Sequence, residues 1–321
     1  MITPLTIGLQ SKGRLKEQTE AWLADCGFKL RPDGGDRGYR AVIDGLPGAQ
    51  VLLLSSSDIA AGLDQGDLHI GVTGEDLLRE RGGDVDARVM LLRPLGFGRA
   101  DLVVAAPQSW IDVEDMADVD DVAAAYLART GRRLRVATKY TVQTRAFFAR
   151  QGIADYRIVE SSGATEGAPA AGSAELIVDI TTTGATLAAN GLKILSDGLI
   201  LKSEAQLAAS LGIKWTFEQF EIVRRLLGVV EARNRARGLS LLSWPVEQAT
   251  DAETATEVFL GRGASRRASG LLAKAGDMID VASALSAAGV GPVSVSHPDF
   301  AFEPSSPVAD ALASKLGFDL V

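Results

Sequence analysis

A threonine-rich turn at residues 178–187, VDITTTGATL, is the densest group of small polar side chains in the sequence. Its hydroxyl groups belong to Thr181, Thr182, Thr183 and Thr186. They follow an apolar run that is typical of a buried strand. Gly184 lets the backbone approach a ligand closely, and the amides that open the following helix stabilise an anion. The turn is therefore either a phosphate cradle or a threonine-rich turn that caps a helix.

Strand and helix patterns alternate on both sides of this turn. Apolar runs such as LTIGLQ and DLHIGVTG alternate with amphipathic segments such as GRLKEQTEAWLADCGF, which predicts an α/β fold with mostly parallel sheets. The alternation restarts after LGFGRADLVVAAP, and DGLILKSEAQLAAS predicts a strand that crosses back. We expect two similar lobes with a ligand cleft between them, crossed near residues 96–104 and 199–208. Ligands bind beyond the carboxyl ends of parallel strands, and the threonine turn follows such an end.

The sequence changes character from about residue 216. The segment TFEQFEIVRRLLGVVEARNRAR predicts a long amphipathic helix that ends at Gly238. The residues beyond it are rich in Ala, Ser and Gly and have a weaker pattern, which predicts a separate, smaller module. Its basic stretch GRGASRRASG, residues 261–270, is either an anion-binding loop or a solvated surface loop.

Composition excludes several classes of function. The chain has 321 residues, is 46% hydrophobic and carries a net charge of −8, so it can bury a core but lacks the basic balance of a nucleic-acid or anionic-membrane binder. The only cysteine, Cys26, allows no disulfide framework. The sequence contains no apolar run of membrane-spanning length and no signal-peptide pattern. We expect a cytoplasmic protein without nucleic-acid or membrane partners.

The histidines do not indicate a metal site. His69 and His297 are far apart and have no cysteine or carboxylate at metal-ligand spacing. We expect His69 and Cys26 to be packed core residues.

The stretch around the threonine turn resembles the signature of the ATP phosphoribosyltransferase family, the first enzymes of histidine biosynthesis. In ESSGATEGAPAAGSAELIVDITTTGATL the fixed positions of that signature are occupied by Glu166, Gly172, Ala174, Ile177, Asp179, Ile180, Thr183, Gly184, Thr186 and Leu187. The segments SKGRL, DLHIGVTGEDLL, LGFGRADLVVA, RVATKY and LKSEAQL are also similar to members of this family. The resemblance covers about residues 5–235.

The resemblance implies a two-lobed catalytic core like that of periplasmic binding proteins. Lobe I would comprise residues 1–98 and 199–237, including the linking helix, and lobe II residues 99–198. The implied reaction joins N1 of the ATP adenine to the anomeric carbon of phosphoribosyl pyrophosphate, giving phosphoribosyl-ATP and pyrophosphate. N1 attacks through a lone pair and needs no general base, so we expect catalysis by positioning and electrostatics, with Mg²⁺ as cofactor. The alternative is a non-catalytic small-ligand-binding protein of the same fold.

Lobe II is expected to bind phosphoribosyl pyrophosphate. The expected contacts are Glu166, Gly167, Asp179, Thr181, Thr182, Thr183, Gly184, Ala185 and Thr186. Asp179 and Glu166 are expected to be catalytic and to bind the ribose hydroxyls or a Mg²⁺ carried by the substrate. Glu166 is alternatively only an acid at a helix N-terminus.

Lobe I is expected to bind ATP. The expected contacts are Lys12, Gly13, Arg14, Thr73, Gly74, Glu75 and Asp76. Lys12 and Arg14 follow the first strand, where cations and amides can bind pyrophosphate or the triphosphate, and they complete the expected catalytic set. Asp76 is alternatively only an acid that starts a helix. Further positive charge in lobe II is expected from Arg135, Lys139 and Arg145.

The C-terminal region bears on regulation. Short members of the family work with a separate regulatory subunit related to histidyl-tRNA synthetase, whereas long members carry a ferredoxin-like domain that binds histidine and inhibits the enzyme. This chain has the length of a long member, but residues 238–275 do not resemble that domain and its strand pattern is not recognisable there. We expect residues 238–321 to form a regulatory or assembly module without catalytic groups. The expected partner is a second copy of the chain in a homo-oligomer, and a separate regulatory subunit and histidine as inhibitor stay open as further partners.

Overall fold

The computed structural model describes residues 3–33, 38–161 and 163–319. The chain divides into two compact units. The first contains residues up to 22, residues 30–44 and residues 49–215, and the second contains residues 23–29, residues 45–48 and the residues from 216 onward. Predicted lobe II and most of predicted lobe I belong to the first unit, whereas residues 23–29, 45–48 and 216–237 of predicted lobe I belong to the second.

The described residues form β-strands and α-helices that alternate through most of the chain. The strands are β1 (Leu5–Gln10), β2 (Lys29–Pro32), β3 (Arg40–Asp44), β4 (Ala49–Leu54), β5 (Ile70–Gly74), β6 (Val89–Pro94), β7 (Ala100–Pro107), β8 (Leu134–Thr138), β9 (Tyr156–Glu160), β10 (Leu176–Thr181), β11 (Leu192–Ser203), β12 (Ala205–Ser210), β13 (Leu239–Ser243), β14 (Ser265–Arg267), β15 (Gly270–Lys274) and β16 (Ser294–Ser296). The α-helices are α1 (Arg14–Asp25), α2 (Ser56–Gln65), α3 (Glu75–Arg79), α4 (Met116–Thr130), α5 (Thr141–Arg150), α6 (Ala185–Ala189), α7 (Phe217–Ala236), α8 (Ala249–Leu260), α9 (Met278–Ala287) and α10 (Pro307–Leu316).

Lobe I is built on a sheet with the strand order β2-β3-β4-β1-β5-β12-β6. Strands β4, β1 and β5 run parallel, and β12 runs antiparallel to both β5 and β6. Helix α2 packs so closely on this sheet that a Cβ at Gly71 would lie 2.7 Å from a methyl carbon of Ile59. Glycine is therefore required there by the close approach of helix and strand.

Lobe II is built on a second sheet with the strand order β11-β7-β10-β8-β9. Strands β10, β8 and β9 run parallel, and β7 runs antiparallel to β10 and β11. Its core includes the fully buried side chains of Val136, Phe148 and Val178. The α/β class and the two-lobed core that the sequence predicted are confirmed.

The two lobes are joined by two crossovers. The chain leaves lobe I between β6 and β7 and returns between β11 and β12. The crossovers lie side by side, because Ser203 pairs with Ala100 and the amide of Ala205 donates a hydrogen bond to the carbonyl of Phe97 at 3.0 Å. The lobe boundaries given above remain predictions of the sequence.

The second unit contains an antiparallel sheet with the strand order β14-β15-β13-β16. Its elements follow one another as β13, α8, β14, β15, α9 and β16, the order of a ferredoxin-like fold. The expectation that residues 238–275 lack this strand pattern is wrong, because β13, β14 and β15 lie there. Strands β14 and β16 have only three residues each, rich in Ser and Arg, which gives little β-propensity to recognise.

Helix α7 packs against the C-terminal residues of its own unit. The ring of Phe318 lies 5.5 Å from that of Phe220 and 5.8 Å from that of Phe217. At the other end of α7, the Arg233 guanidinium donates to Asp25 at 2.8 Å and to Asp299 at 3.1 Å. The apolar face predicted for this helix therefore has a partner within the chain.

The basic stretch 261–270 is a surface segment neutralised by acids. Arg262 lies within 3.7 Å of carboxylate oxygens of Asp277 and Asp280, and Arg266 pairs with Glu253 at 3.7 Å and with Glu257. These contacts favour the solvated-loop interpretation over an anion-binding loop.

The two residues predicted to pack in the core are buried. Cys26 is 4% exposed and His69 is 3% exposed, with the Nδ1 atom of His69 2.6 Å from the hydroxyl oxygen of Thr6.

In the part of the chain that the structure describes, no helix combines the length and the apolar character needed to cross a membrane.

Candidate active site

The carboxyl ends of the parallel strands of both lobes lie next to the crossovers. In lobe I, the last residue of β5, Gly74, pairs with Ala205 at the start of the returning strand β12. In lobe II, the last residue of β10, Thr181, pairs with Asp101 near the start of β7. The polar turns that follow the strands of the two lobes are therefore gathered around the crossovers, where a ligand site is expected.

The threonine turn lines a cavity of about 330 Å³ at the end of β10. The cavity is lined by Ala100, Glu166, Asp179, Ile180, Thr181, Thr182, Thr183, Thr186 and Leu187. The turn is held in shape by its own hydroxyls, because the Gly184 amide donates to the Thr181 oxygen at 2.8 Å and the Ala185 amide to the Thr183 oxygen at 3.4 Å. Gly184 has φ +75°, which only glycine adopts at little cost. Helix α6 has only five residues, so the hydroxyls and individual amides must bind an anion with little help from a helix dipole.

Asp179 carries a half-buried carboxyl group beside this turn. Its Oδ1 atom accepts a hydrogen bond from the Ile180 amide at 2.8 Å. Burial raises the pKa of Asp179 and the negative charge of Glu166 raises it further, whereas the Ile180 amide, the positive charge of Lys139 and a hydrogen bond from the Thr165 side chain oppose the increase. The folded protein thus holds a carboxylate that is incompletely stabilised, as is common at functional sites.

Glu166 is carried by a short 3-10 helix, Thr165–Gly167, at the edge of the same cavity. The preceding residue, Ala164, has φ 50°, the only positive φ of a non-glycine residue in the described parts of the chain. Alanine in this left-handed conformation is strained, and such strain is found at ligand-binding turns. The strained residue therefore immediately precedes the short helix that carries Glu166.

The acids of the cavity do not form a complete metal site. Among the described residues, no group of three or more His, Cys, Asp or Glu side chains is placed to hold a metal ion. Asp179 and Glu166 nevertheless form a pair of carboxylates whose charges repel each other. Carboxylate oxygens of this kind suit Mg²⁺, which keeps waters or substrate phosphates as its other ligands. The pair fits a Mg²⁺ that arrives with a phosphorylated substrate.

The turn that carries Lys12 and Arg14 also lies next to a crossover. Both side chains are exposed, and Gly13 between them has φ +83°. A Cβ on Gly98 would lie 2.9 Å from Leu15, the residue that follows Arg14. The Thr182 hydroxyl donates to the carbonyl of Arg99, the residue after Gly98, at 3.2 Å. The first turn of α1 and the threonine turn therefore contact adjacent residues of one crossover.

The side chains of residues 73–76 are mostly engaged inside the protein. Thr73 is fully buried and donates its hydroxyl to the Ser56 carbonyl at 2.8 Å. The Oε1 atom of Glu75 lies 3.3 Å from the Nε atom of Arg79. Asp76 is 6% exposed, and its two oxygens accept hydrogen bonds from the hydroxyls of Tyr140 and Ser203.

The predicted cations of lobe II are not brought together. Arg135 lies near the start of β8, at the opposite end from the cavity, and forms an ion pair with Glu175 at 2.6 Å. Arg145 is exposed on α5. Lys139 alone of the three follows the carboxyl end of β8, and its charge acts on Asp179.

Sequence reasoning missed three residues of this region. Tyr140 and Ser203 complete the environment of Asp76, and Arg99 accepts the hydroxyl hydrogen bond of Thr182 through its carbonyl. Tyr140 follows a strand end, a position that the strand-end rule covers. Ser203 lies 127 residues from Asp76 in sequence, and no local pattern connects the two.

Comparison with known proteins identifies the family. A family model described as ATP phosphoribosyltransferase matches residues 55–228. A curated relative of that name from Caulobacter vibrioides is 68% identical over 316 residues, which cover 98% of this chain and 99% of the relative. Another relative of that name, from Bradyrhizobium diazoefficiens, is 58% identical over 236 residues, 74% of this chain and 73% of the relative.

A solved structure supports the fold of the two lobes. The chain of the ATP phosphoribosyl transferase (HisG:HisZ) complex from Thermotoga maritima aligns with a TM-score of 0.54 at 23% identity, covering 71% of this chain and 98% of that chain. The chain described here therefore belongs to the ATP phosphoribosyltransferase family, as its motifs predicted. It is an enzyme of the transferase class that acts in the first step of histidine biosynthesis, and the alternative of a non-catalytic binding protein is not favoured.

Proposed function

We propose that this chain transfers the phosphoribosyl group of phosphoribosyl pyrophosphate to N1 of the adenine of ATP. The bond between the anomeric carbon and the pyrophosphate oxygen breaks, its electron pair leaves with pyrophosphate, and the N1 lone pair forms the new bond to that carbon. The single observation that supports this assignment best is the placement of two turns against one crossover. The threonine turn reaches Arg99 through Thr182, and the Lys12–Arg14 turn is followed by Leu15, which contacts Gly98.

Lobe II would hold the phosphoribosyl pyrophosphate. The 5-phosphate fits the turn made by Thr181, Thr182, Thr183, Gly184, Ala185 and Thr186, whose hydroxyls and amides are hydrogen-bond donors. Asp179 and Glu166 would accept hydrogen bonds from the ribose hydroxyls, with Gly167 leaving room for the sugar. Binding the ribose hydroxyls would also satisfy a carboxylate that the protein alone leaves incompletely stabilised.

The acid pair would hold Mg²⁺ together with the substrate. A bound Mg²⁺ would neutralise the charge that develops on the leaving pyrophosphate. Asp179 and Glu166 would supply oxygen ligands, and the phosphate groups and waters would complete the coordination.

Lobe I would hold ATP and face the leaving group. Lys12 and Arg14 are exposed cations at the carboxyl end of β1 and would bind the triphosphate or the pyrophosphate, with Gly13 allowing close approach of the backbone. Gly74 and Glu75 would line the nucleotide site. Thr73 and Asp76 are buried, so we propose that they hold this turn in place rather than contact ATP directly.

The reaction can be tested by mixing the purified chain with ATP, phosphoribosyl pyrophosphate and Mg²⁺ and following the absorbance change of phosphoribosyl-ATP formation. We expect turnover that requires all three components. The proposal would be contradicted if the chain, alone and in its assembled form, bound either substrate but formed no product.

We further propose that the residues from 238 onward regulate or assemble the enzyme without supplying a catalytic group. The polar strand ends that form the cavity all lie in the first unit, between residues 12 and 187. We expect the chain alone to form a homo-oligomer whose turnover histidine inhibits. Size-exclusion chromatography and turnover with and without histidine test this, and a monomer that is active only with a separate regulatory subunit would contradict it.

A further inference from the structure

The buried carboxylate of Asp76 is linked to a tyrosine of the other lobe. The Tyr140 hydroxyl donates to Asp76 Oδ2 at 2.6 Å, and the Ser203 hydroxyl donates to Oδ1 at 2.8 Å. Hydrogen bonds from hydroxyls to an ionised carboxylate are short and strong when both partners are buried. Tyr140 is 1% exposed, and burial together with the charge of Asp76 raises its pKa, so the phenol keeps its proton and remains a donor.

The start of α5 is fixed to α3 by further hydrogen bonds. The carboxylate of Glu80 accepts from the Val142 amide at 2.8 Å and from the Gln143 amide at 3.2 Å. The Gln143 side chain also donates to the Asp76 carbonyl at 2.9 Å. Tyr140 therefore has a defined position relative to lobe I.

The ammonium group of Lys139 lies over the Tyr140 ring. The Lys139 Nζ atom lies 4.9 Å from the ring centroid, within the range of a cation–π interaction. A phenol that donates to a carboxylate has a more electron-rich ring, which strengthens its attraction for a cation. Lys139 follows the carboxyl end of β8, and its charge acts on Asp179 in the cavity.

We infer that Lys139 binds a phosphate group of phosphoribosyl pyrophosphate, and that Tyr140, fixed by Asp76 of lobe I, is the positioning residue that holds the Lys139 ammonium at the site. This inference rests on the proposed reaction. It makes the substrate affinity of lobe II depend on a hydrogen bond to lobe I. An ammonium so placed offsets the negative charge of Asp179 and Glu166, which would otherwise repel the anionic substrate.

The first test compares variants of Lys139. We expect Lys139→Ala to raise KM for phosphoribosyl pyrophosphate about 10- to 100-fold, the loss of one charged hydrogen bond, while KM for ATP changes little. Lys139→Arg keeps the charge and should recover most of the affinity. Lys193→Ala removes a half-buried lysine elsewhere in lobe II, whose Nζ atom contacts the Ile111 carbonyl at 3.4 Å, and should behave like the parent chain. Unchanged KM for phosphoribosyl pyrophosphate in Lys139→Ala would overturn the inference.

The second test asks whether Tyr140 acts through Lys139. Tyr140→Phe keeps the ring and removes the donor to Asp76, and we expect it to raise KM for phosphoribosyl pyrophosphate about 10-fold. In the Lys139→Ala background the same change should have no further effect on this KM. Two effects that multiply would show that Tyr140 has only a structural role. Ser203→Ala removes the other donor to the same carboxylate, so it should lower the unfolding temperature similarly but raise this KM less.

The outcomes separate this inference from the proposed function. A parent chain that forms no phosphoribosyl-ATP in its assembled form would contradict the function itself. An active parent chain whose Lys139→Ala variant binds phosphoribosyl pyrophosphate equally well, measured by equilibrium binding with Mg²⁺ and without ATP, would contradict only the role of Lys139.

Discussion

The two lobes offer the same edge of a parallel sheet, but they use its polar residues differently. In lobe II, Thr182, Thr183 and Thr186 are exposed around a cavity, and the pKa of Asp179 is raised although its carboxylate accepts hydrogen bonds from the Ile180 amide and the Thr165 side chain. In lobe I, Thr73 and Asp76 are buried and their hydrogen-bonding groups are used within the protein. Polar groups left unsatisfied by the fold are available for a ligand, whereas satisfied ones stabilise the fold. Lobe II therefore leaves polar groups accessible that could bind an anion, and in lobe I the exposed Lys12–Arg14 turn carries accessible polar groups.

The largest effect is expected for Asp179→Asn in lobe II. Loss of the carboxylate should lower turnover by at least about 100-fold, because a preorganised charged group at the reacting ribose is lost. Asp121→Asn, on the exposed surface of α4, is the matched control and should keep parent turnover. Turnover near the parent value in a folded Asp179→Asn protein would contradict the assignment.

The same variant should have the opposite effect on stability. The native pKa of Asp179 lies above its ordinary value of 3.8, so its contribution to stability is complete below that value and is lost as the pH rises through the native pKa. At neutral pH the ionised group therefore disfavours folding. Asparagine removes this cost, so Asp179→Asn should unfold at a higher temperature than the parent at pH 7, and the difference should shrink in acid. A lower unfolding temperature at pH 7 would show that the carboxylate is well stabilised after all.

A smaller loss of activity is expected from the cations of lobe I. Lys12→Ala and Arg14→Ala should each lower turnover about 10-fold or more without loss of stability, because each exposed cation would contact a phosphate only when substrate is bound. Lys16→Ala is the matched control, since Lys16 pairs with Glu20 on the helix surface at 3.7 Å. Parent-like turnover in both variants would show that this turn is only a solvated part of the surface.

Two threonine substitutions compare the lobes directly. Thr183→Val in lobe II should raise KM for phosphoribosyl pyrophosphate about 10-fold with little change in stability, because its exposed hydroxyl would donate to the 5-phosphate. Thr73→Val in lobe I should instead lower the free energy of unfolding by about 1 kcal/mol, because its buried hydroxyl donates to the Ser56 carbonyl. Steady-state kinetics and denaturant unfolding of both variants provide the measurements. A loss of stability in Thr183→Val together with a raised KM in Thr73→Val would contradict the contrast between accessible polar groups in lobe II and buried ones in lobe I.

The smallest effect is expected from Ala164→Gly beside Glu166. Glycine adopts the positive φ of this position without steric cost, so the variant should gain up to about 1 kcal/mol in free energy of unfolding. Gly167→Ala, at a residue whose φ is not positive, is the control and should not be stabilised in this way. A loss of stability in Ala164→Gly would mean that the alanine methyl group makes a contact that outweighs the strain.

The polar residues of lobe II could be predicted from the sequence because their signal is local. An apolar run followed by threonines and glycine marks a strand end, and the family signature fixes Glu166 and Asp179 in the same stretch. The role of Asp76 could not be predicted in the same way. Asp76 and Asp179 both lie at the end of a strand, and only the packing of Tyr140 and Ser203 around Asp76 distinguishes the two carboxylates. Burial and long-range hydrogen bonds leave no local pattern.

The C-terminal sheet shows the same limit for secondary structure. Strand β13 alternates half-buried and fully buried residues and has a recognisable period, whereas β14 and β16 are three-residue strands whose pairing depends on their neighbours. Register and sheet order come from contacts between segments distant in sequence, such as Leu241 with Leu272 and with Ser296.

By itself the sequence determined the α/β class, the restart that makes two lobes and the family, and it located the threonine turn at residues 181–186, because periodicity, turn chemistry and the signature lie in consecutive residues. Only the tertiary structure decided which strand-end groups remain open. It enclosed Asp76 with hydroxyls from two other segments, left Asp179 with a raised pKa, and placed the first turn of α1 and the threonine turn against Gly98 and Arg99. Solvation and charge depend on what the fold packs around a group, and a residue's neighbours in sequence do not specify that.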